Sequence, residues 1–236
     1  MSPQRIRDVF TQDLGSAAGW VRRTALDGFA EGQLCYGRML LEGSGVAKDI
    51  AAAFMWFQRA AAQGLIDAIN MVGRCHDMGW GTPENPRAAA EHFQRAADSG
   101  HAWAQYNLGH LYLDGRGVER DPDRAHAYYL CAAERGHARA MSLVGRCCEE
   151  GWGRPRDRGA AAHWYERSAQ AGYFRGQYNW ATWLLEAGRV DEAAAWFARA
   201  AATGTPAVRD AVARINPTAT AAPQTSRRSC SSSIPV

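Results

Sequence analysis

The sequence predicts an all-α solenoid of stacked antiparallel helical hairpins, and three observations carry that prediction. Glycines recur at a strict interval. Gly64, Gly100, Gly136 and Gly172 lie 36 residues apart, as do Gly37, Gly73, Gly109 and Gly145, and Gly45, Gly81, Gly117 and Gly153. A period of about 20–50 residues marks an array whose units bury their apolar faces only by stacking on one another. Each unit reads as a helix, a Gly-rich corner and a second helix, most clearly at 102–137: AWAQYNLGHLYLDGRGVERDPDRAHAYYLCAAERGH. Aromatic pairs recur at one place on the second helices: Trp56-Phe57, His92-Phe93, Tyr128-Tyr129, Trp164-Tyr165 and Trp196-Phe197. That recurrence points to packing within and between repeats.

The elements follow in order. Residues 1–15 are expected to be a partly ordered lead-in. Residues 16–27 align with a second helix, because Trp20 precedes Trp56 by 36 and Gly28 precedes Gly64 by 36. Residues 1–29 therefore form a lead-in and a half-repeat that caps the array. Five repeats follow, at 30–65, 66–101, 102–137, 138–173 and 174–204. Their helices are predicted at 30–42 and 50–63, 66–78 and 86–99, 102–114 and 122–135, 138–150 and 158–171, and 174–187 and 190–203. The fifth repeat is short, Gly172 to Gly204 being 32 residues, because its corner shrinks to Gly188-Arg189-Val190-Asp191. A capping helix is expected within 205–215, with Ala207, Val208, Ala211, Val212 and Ile215 as its apolar residues. Residues 216–236, rich in Ser, Thr, Pro and Ala, are expected to be disordered.

The corners carry stop and start signals. Gly43, Gly79, Gly115 and Gly151 stand where a left-handed residue ends a helix. Asp49, Asn85, Asp121 and Asp157 stand at the next N-cap, with Pro86 and Pro122 at the first helical position.

Composition narrows the function classes. A net charge of +3 over 236 residues, with Arg interleaved among acids, is too mild to indicate a nucleic-acid partner. No window approaches the roughly 18 consecutive apolar residues of a membrane span. The stretch MSPQRIRDVFTQDLGSAAGW has no continuous apolar run of signal-peptide type, so a cytoplasmic location is expected. Six cysteines, at 35, 75, 131, 147, 148 and 230, include no CxxC pair. Those at 35, 75, 131 and 147 read as small buried or half-buried helix residues.

Signatures of catalysis are missing: no HExxH, no Walker loop, no nucleophile elbow. Gly115-Arg116-Gly117 begins like a phosphate loop, but it follows a helix and its spacing recurs at Gly43–Gly45. Cys75-His76 and Cys147-Cys148 lie two repeats apart, on the order of 20 Å in a helical stack, too far to share one ion. No metal and no cofactor are expected.

The unit at 102–137 resembles a Sel1-like repeat, a relative of the tetratricopeptide hairpin. The matching features are Leu108-Gly109, Tyr112, the GRGV corner, Asp121-Pro122, Tyr128-Tyr129 and the closing AAERGH. The resemblance implies a right-handed solenoid that serves as a non-catalytic binding scaffold, with first helices lining a concave groove. Secreted members with a regular cysteine pair in every repeat differ from this chain. That difference argues against an exported, disulfide-stapled form.

On this resemblance the partner-binding set is Arg38, Asn70, Arg74, Trp103, Tyr106, His110, Asp114, Arg146 and Tyr178. Apart from Trp103, it draws on three columns of the first helix: Arg38, Arg74, His110, Arg146 and Thr182; Glu42, Met78, Asp114, Glu150 and Glu186; and Leu34, Asn70, Tyr106, Ser142 and Tyr178. The arginines can hold carboxylates or peptide carbonyls. Against this, Arg38–Glu42 and Arg146–Glu150 stand at i,i+4 and can neutralise one another. A second Arg column, at 23, 59, 95, 167 and 199, reads as a solvated back face whose stems cover apolar surface. Trp80 and Trp152, each between two corner glycines, either fold onto the next repeat or contact a partner.

The expected function is a monomeric scaffold or adaptor binding a protein or peptide in the groove, with its centre at Trp103, Tyr106 and His110. The alternative is an accessory or regulatory subunit of a specific enzyme, or of an envelope, stress or metal-uptake system, acting through the Trp corners or the tail.

Overall fold

The computed structural model describes residues 14–215. The bulk of the expected lead-in, residues 1–13, and the tail at 216–236 lie outside them. Among the described residues there are twelve helices and no strand: α1 (Leu14–Leu26), α2 (Ala30–Glu42), α3 (Ile50–Ala62), α4 (Ile66–Met78), α5 (Pro86–Asp98), α6 (Ala102–Asp114), α7 (Pro122–Glu134), α8 (Ala138–Glu150), α9 (Arg158–Gln170), α10 (Phe174–Glu186), α11 (Val190–Thr203) and α12 (Pro206–Ile215). Helix α1 begins two residues before the expected 16. Four second helices and α10 end one residue early, because the residue predicted last, such as Gln63 or Ser99, sits outside the helix as its C-cap.

The described residues divide into two compact units, one ending at residue 161 and the other beginning at residue 162. In the first, α2–α3, α4–α5 and α6–α7 pack as hairpins, and each second helix packs on the first helix that follows it. Helix α1 packs on α2 as an isolated second helix would. In the second unit α10 and α11 form the hairpin, and α12 packs on both.

Each hairpin of the first unit closes around one ring. Phe57, Phe93 and Tyr129 are 0% exposed and rank among the largest fully buried side chains. Each faces a glycine of its own first helix. A Cβ at Gly37, Gly73 or Gly109 would stand 2.6–2.7 Å from the ring of Phe57, Phe93 or Tyr129. The strict glycine column therefore lets the helix backbone approach the ring closely. Alanines 53, 60, 89, 96, 125 and 132 flank the rings, fully buried, and hold the second helices close.

The corners turn as predicted. Gly43, Gly79, Gly115 and Gly151 adopt φ of 67–78°, each with its N–H bonded into the last helical turn. Asp49, Asn85, Asp121 and Asp157 accept from the N–H three residues on at 2.9–3.0 Å. The second corner glycine has another role. A side chain at Gly81, Gly117 or Gly153 would overlap the main chain at Ile50, Pro86 or Pro122, where the second helix of the preceding hairpin begins. These glycines set the stacking register.

Odd and even hairpins differ inside. Gln33 and Gln105, each 6% exposed, donate Nε2 to the carbonyls of Ala25 and Ala97 at the end of the preceding second helix. The corresponding residues of the second and fourth hairpins, Ile69 and Met141, are buried and apolar. Two cysteine readings are corrected: Cys35 and Cys131 are exposed. Cys131 shares the solvent-facing position of Arg59 and Arg95. Met71, equivalent to Cys35, is buried in a cluster with Leu34 and Leu40 of the preceding hairpin, whereas α2 has only the half-hairpin α1 before it.

Candidate functional site

A groove of about 840 Å³ lies in the first unit, lined by first helices α2, α4, α6 and α8 with the corner before α3. Of the predicted set, Arg38, Asn70, Arg74, Trp103 and Tyr106 line it, and so does the corner residue Trp80. Trp103 is 45% exposed and Met78, also in the lining, 49%.

The remaining predicted residues stand elsewhere. His110 turns inward, its ring edge-on to Tyr106 at 4.7 Å and Tyr129 at 5.4 Å. The imidazole is shorter than the arginines of its column and fills the space above the core tyrosine. Burial lowers its pKa. Arg146 lies over the Trp152 ring at 4.8 Å, as Arg74 lies over Trp80 at 4.9 Å. Asp114 is the exposed last residue of α6. Tyr178 belongs to the second unit, edge-on to Phe197 at 5.5 Å. The corner residue Trp80 packs, partly buried, against the core cluster shared by the first two hairpins.

The corner position alternates in chemistry. The third hairpin carries Arg116 where its neighbours carry Trp80 and Trp152. Arg116 reaches back to Asp77 of the second hairpin, with Nη2 3.0 Å from Oδ1 and a hydrogen bond to the Asp77 carbonyl at 3.3 Å. Asp77 is largely buried, and burial raises its pKa despite that arginine. On the back face, Arg59, Arg167 and Arg199 lie over Trp56, Trp164 and Trp196 at 4.5–4.6 Å, so their stems and guanidiniums cover indole faces.

Electrostatics in the groove run across hairpins. Arg38 finds its carboxylate in the next repeat, Asp67, at 4.0 Å rather than in Glu42. Asp67 also meets His101 Nε2 at 2.8 Å. His101 in turn caps α6, its Nδ1 accepting from the Ala104 N–H at 3.1 Å. That places the ring proton on Nε2, pointing at Asp67. Arg139 stands over Trp103 at 5.2 Å. On the groove floor Asn107 donates to Asn70 at 3.2 Å.

Sequence reasoning missed Asp67, His101, Asn107 and Arg139. The signal for three of them was present: Asp67 and Arg139 stand one 36-residue period before and after Trp103, and Gly-His recurs at 100–101 and 136–137, both histidines being N-caps.

His137 repeats the cap for α8, accepting from the Ala140 N–H at 3.2 Å. Its ring lies 4.3 Å from Trp103 and 4.9 Å from Tyr106, and its Nε2 is buried without a partner. Burial, with Arg139 and His101 adding repulsion, lowers its pKa from 6.5 to about 4. The unfolded chain therefore binds this proton more readily than the folded one. Stability from this site is complete above about pH 6.5 and is lost as the pH falls toward 4. Urea melts are expected to show a loss on the order of 1–2 kcal/mol from this site between neutral pH and the mid-acid range. His137→Asn, which keeps a capping oxygen without a titrating ring, should flatten that part of the pH dependence. An unchanged slope would exclude the assignment.

The buried cysteines are chemically quiet. Burial pushes the Cys75 and Cys147 thiols up to about 12, so they remain protonated and poorly nucleophilic.

Comparison with known proteins fits this geometry. The model of the Sel1 repeat matches residues 30–65, 66–101, 104–137 and 138–173. The chain belongs to the Sel1 repeat family. Its structure resembles a Sel1 repeat protein from Oxalobacter formigenes, with 27% identity, TM-score 0.73, and coverage of 85% of this chain and 88% of that one. It also resembles a protective antigen of uropathogenic Escherichia coli strains with the same repeat fold, at 28% identity, TM-score 0.69 and coverage of 86% of this chain. The chain spans 44% of that antigen's length. A putative Sel1 repeat protein from Klebsiella pneumoniae, 17% identical with TM-score 0.57 over 84% of this chain and 98% of that one, shares the fold. No curated protein matches the sequence significantly. No helix among the described residues of this Sel1 repeat protein is long and apolar enough to cross a membrane.

Proposed function

We propose that this Sel1 repeat protein is a non-catalytic adaptor that holds an extended segment of a protein partner along the first-helix groove of its first unit. Sel1 repeats generally mediate protein–protein interaction. The observation that carries the groove reading is the amide pair on its floor. With Asn107 Nδ2 bonded to Asn70 Oδ1, the Asn70 NH2 and the Asn107 carbonyl oxygen still offer a donor and an acceptor side by side. That is the complement of a single main-chain peptide unit, and extended segments present such units at regular spacing. Exposed Trp103 and Met78 add apolar surface beside it, of the kind enriched at recognition sites.

The fifth hairpin, α10–α11, is read as a degenerate repeat that ends the array together with α12. The exposed free cysteines Cys35 and Cys131, in the first and third hairpins, suit a reducing compartment, and the cytoplasm is the proposed location.

Affinity capture from the native cell extract tests the groove. The variant Arg38→Glu/Arg74→Glu/Trp103→Ala should lose the captured partner, and the back-face variant Arg59→Glu/Arg95→Glu should retain it, both with wild-type circular dichroism. Capture that survives in the groove variant and disappears on deletion of residues 216–236 would replace this reading with an accessory subunit that acts through its tail.

A further inference from the structure

The groove reading leaves the chemistry of the partner open, and the side chains along the lining narrow it. Four cationic side chains border the groove: Arg38, Lys48, Arg74 and Arg139. Its carboxylates are Glu42, Asp67 and Asp77. All three are engaged by the protein itself: Glu42 accepts from the Ser44 hydroxyl at 3.4 Å. Asp77 is held by Arg116, which lies outside the lining, and Asp67 by His101 at 2.8 Å with Arg38 at 4.0 Å. Arg74 stands differently. Its guanidinium lies on the Trp80 ring at 4.9 Å and donates to the Met71 sulfur at 3.6 Å, two soft partners that leave most of its five N–H donors for other acceptors. It is half-buried, and burial is the largest cause disfavouring its charge, with Arg38 and Arg139 adding to it and Cys75 and Asp77 opposing it. A guanidinium in that setting gains more from an incoming anion than one in open water, because the local dielectric is lower.

Resting on the groove reading, we propose that the site selects an acidic peptide. An Asp or Glu side chain docks between the guanidiniums of Arg38 and Arg74, in successive hairpins, while a neighbouring aromatic or aliphatic side chain rests on Trp103. The indole under Arg74 fixes the guanidinium plane and leaves its edge for a bidentate carboxylate. The exposed faces of Trp103 and Met78 follow along the groove. The same arrangement disfavours basic segments, since Arg38, Arg74 and Arg139 would face them.

The test uses the full chain and a fluorescein-labelled short peptide that alternates Asp or Glu with Phe or Leu. Controls are its Asn/Gln counterpart and a single-stranded oligonucleotide of similar charge. Anisotropy titrations are expected to show binding of the acidic peptide that weakens with added salt, and binding of the amide counterpart weaker by about tenfold or more. Arg38→Gln and Arg74→Gln should each weaken the acidic peptide by roughly tenfold and narrow its advantage over the amide form. Arg59→Gln on the back face should change neither. Arg38 makes only a long ion pair, so Arg38→Gln remains informative if Arg74→Gln loosens the Trp80 corner. Equal affinity for acidic and amide peptides, tighter binding of the oligonucleotide, or indifference to both arginine variants would overturn the proposal. If the acidic peptide fails while the groove variant still loses its captured partner, the groove stands and the acidic selectivity falls.

Discussion

Gly117→Ala is expected to destabilise the first unit by about 2–5 kcal/mol, combining left-handed strain with overpacking. Two causes act at one atom. The residue has φ of 70°, which an L side chain adopts at a cost, and a Cβ there would overlap the Pro86 carbonyl, with the Arg87 nitrogen 2.5 Å away. Pro86 opens α5, so neither partner is a flexible side chain that could swing aside. Relief would require the third hairpin to lift off the second. Gly136→Ala separates the causes: its φ is 87°, and nothing lies within 4 Å of its added Cβ. It should show the left-handed strain alone, about 1–2 kcal/mol. Chemical denaturation of both variants measures the difference, which is the steric contribution to stacking. Equal losses at the two sites would mean that the corner glycine serves only its own turn.

That glycine was legible in the sequence as a period but not as a contact. The 36-residue columns, the Asp and Asn caps and the aromatic pairs repeat because each hairpin meets the same neighbour, so local pattern and tertiary environment coincide. The all-α repeat architecture followed from that. The candidate site was legible only where its residues obey the same columns: Arg38, Asn70, Arg74, Trp103 and Tyr106 line the groove. The misses come from positions where the column is kept and the neighbour changes. Arg146 shares the Arg74 column and the same indole contact, but it is absent from the groove lining. His110 occupies that column with a ring that reaches Tyr129. Trp80 could not be placed by periodicity. The left-handed residue Gly79 reverses the chain after α4 and returns the indole to Arg74, six residues earlier. Asp67 and His101 were missed because their pairing joins the first turn of α4 to the N-cap of α6, a contact that the repeat positions of the two residues do not reveal.

Phe93→Ala is expected to cost about 3–5 kcal/mol, the range for removing a fully buried ring. Phe93 is 0% exposed and stands in a cluster with Ile69, Leu108 and Leu111, so it joins the second hairpin to the third. Helix α4 meets it at Gly73, where an added Cβ would stand 2.7 Å from two ring carbons. The pair must therefore behave as one unit. Gly73→Ala alone gains helix propensity, up to about 1 kcal/mol, but forces the ring aside, and overpacking of this kind costs about 1–3 kcal/mol. Replacing the flat ring with a smaller branched chain, Phe93→Leu, opens space at that point. Gly73→Ala should then cost less in the Phe93→Leu background than in the wild type, by more than about 0.5 kcal/mol, the level at which contacting residues depart from additivity. A thermodynamic cycle from denaturant melts reads this coupling directly. Additive effects would mean that the helices separate independently of the ring, and the glycine column would then need a different cause. A coupling of the expected sign would make glycine and ring a matched pair, and Gly37 with Phe57 and Gly109 with Tyr129, which share the geometry, would repeat it along the array.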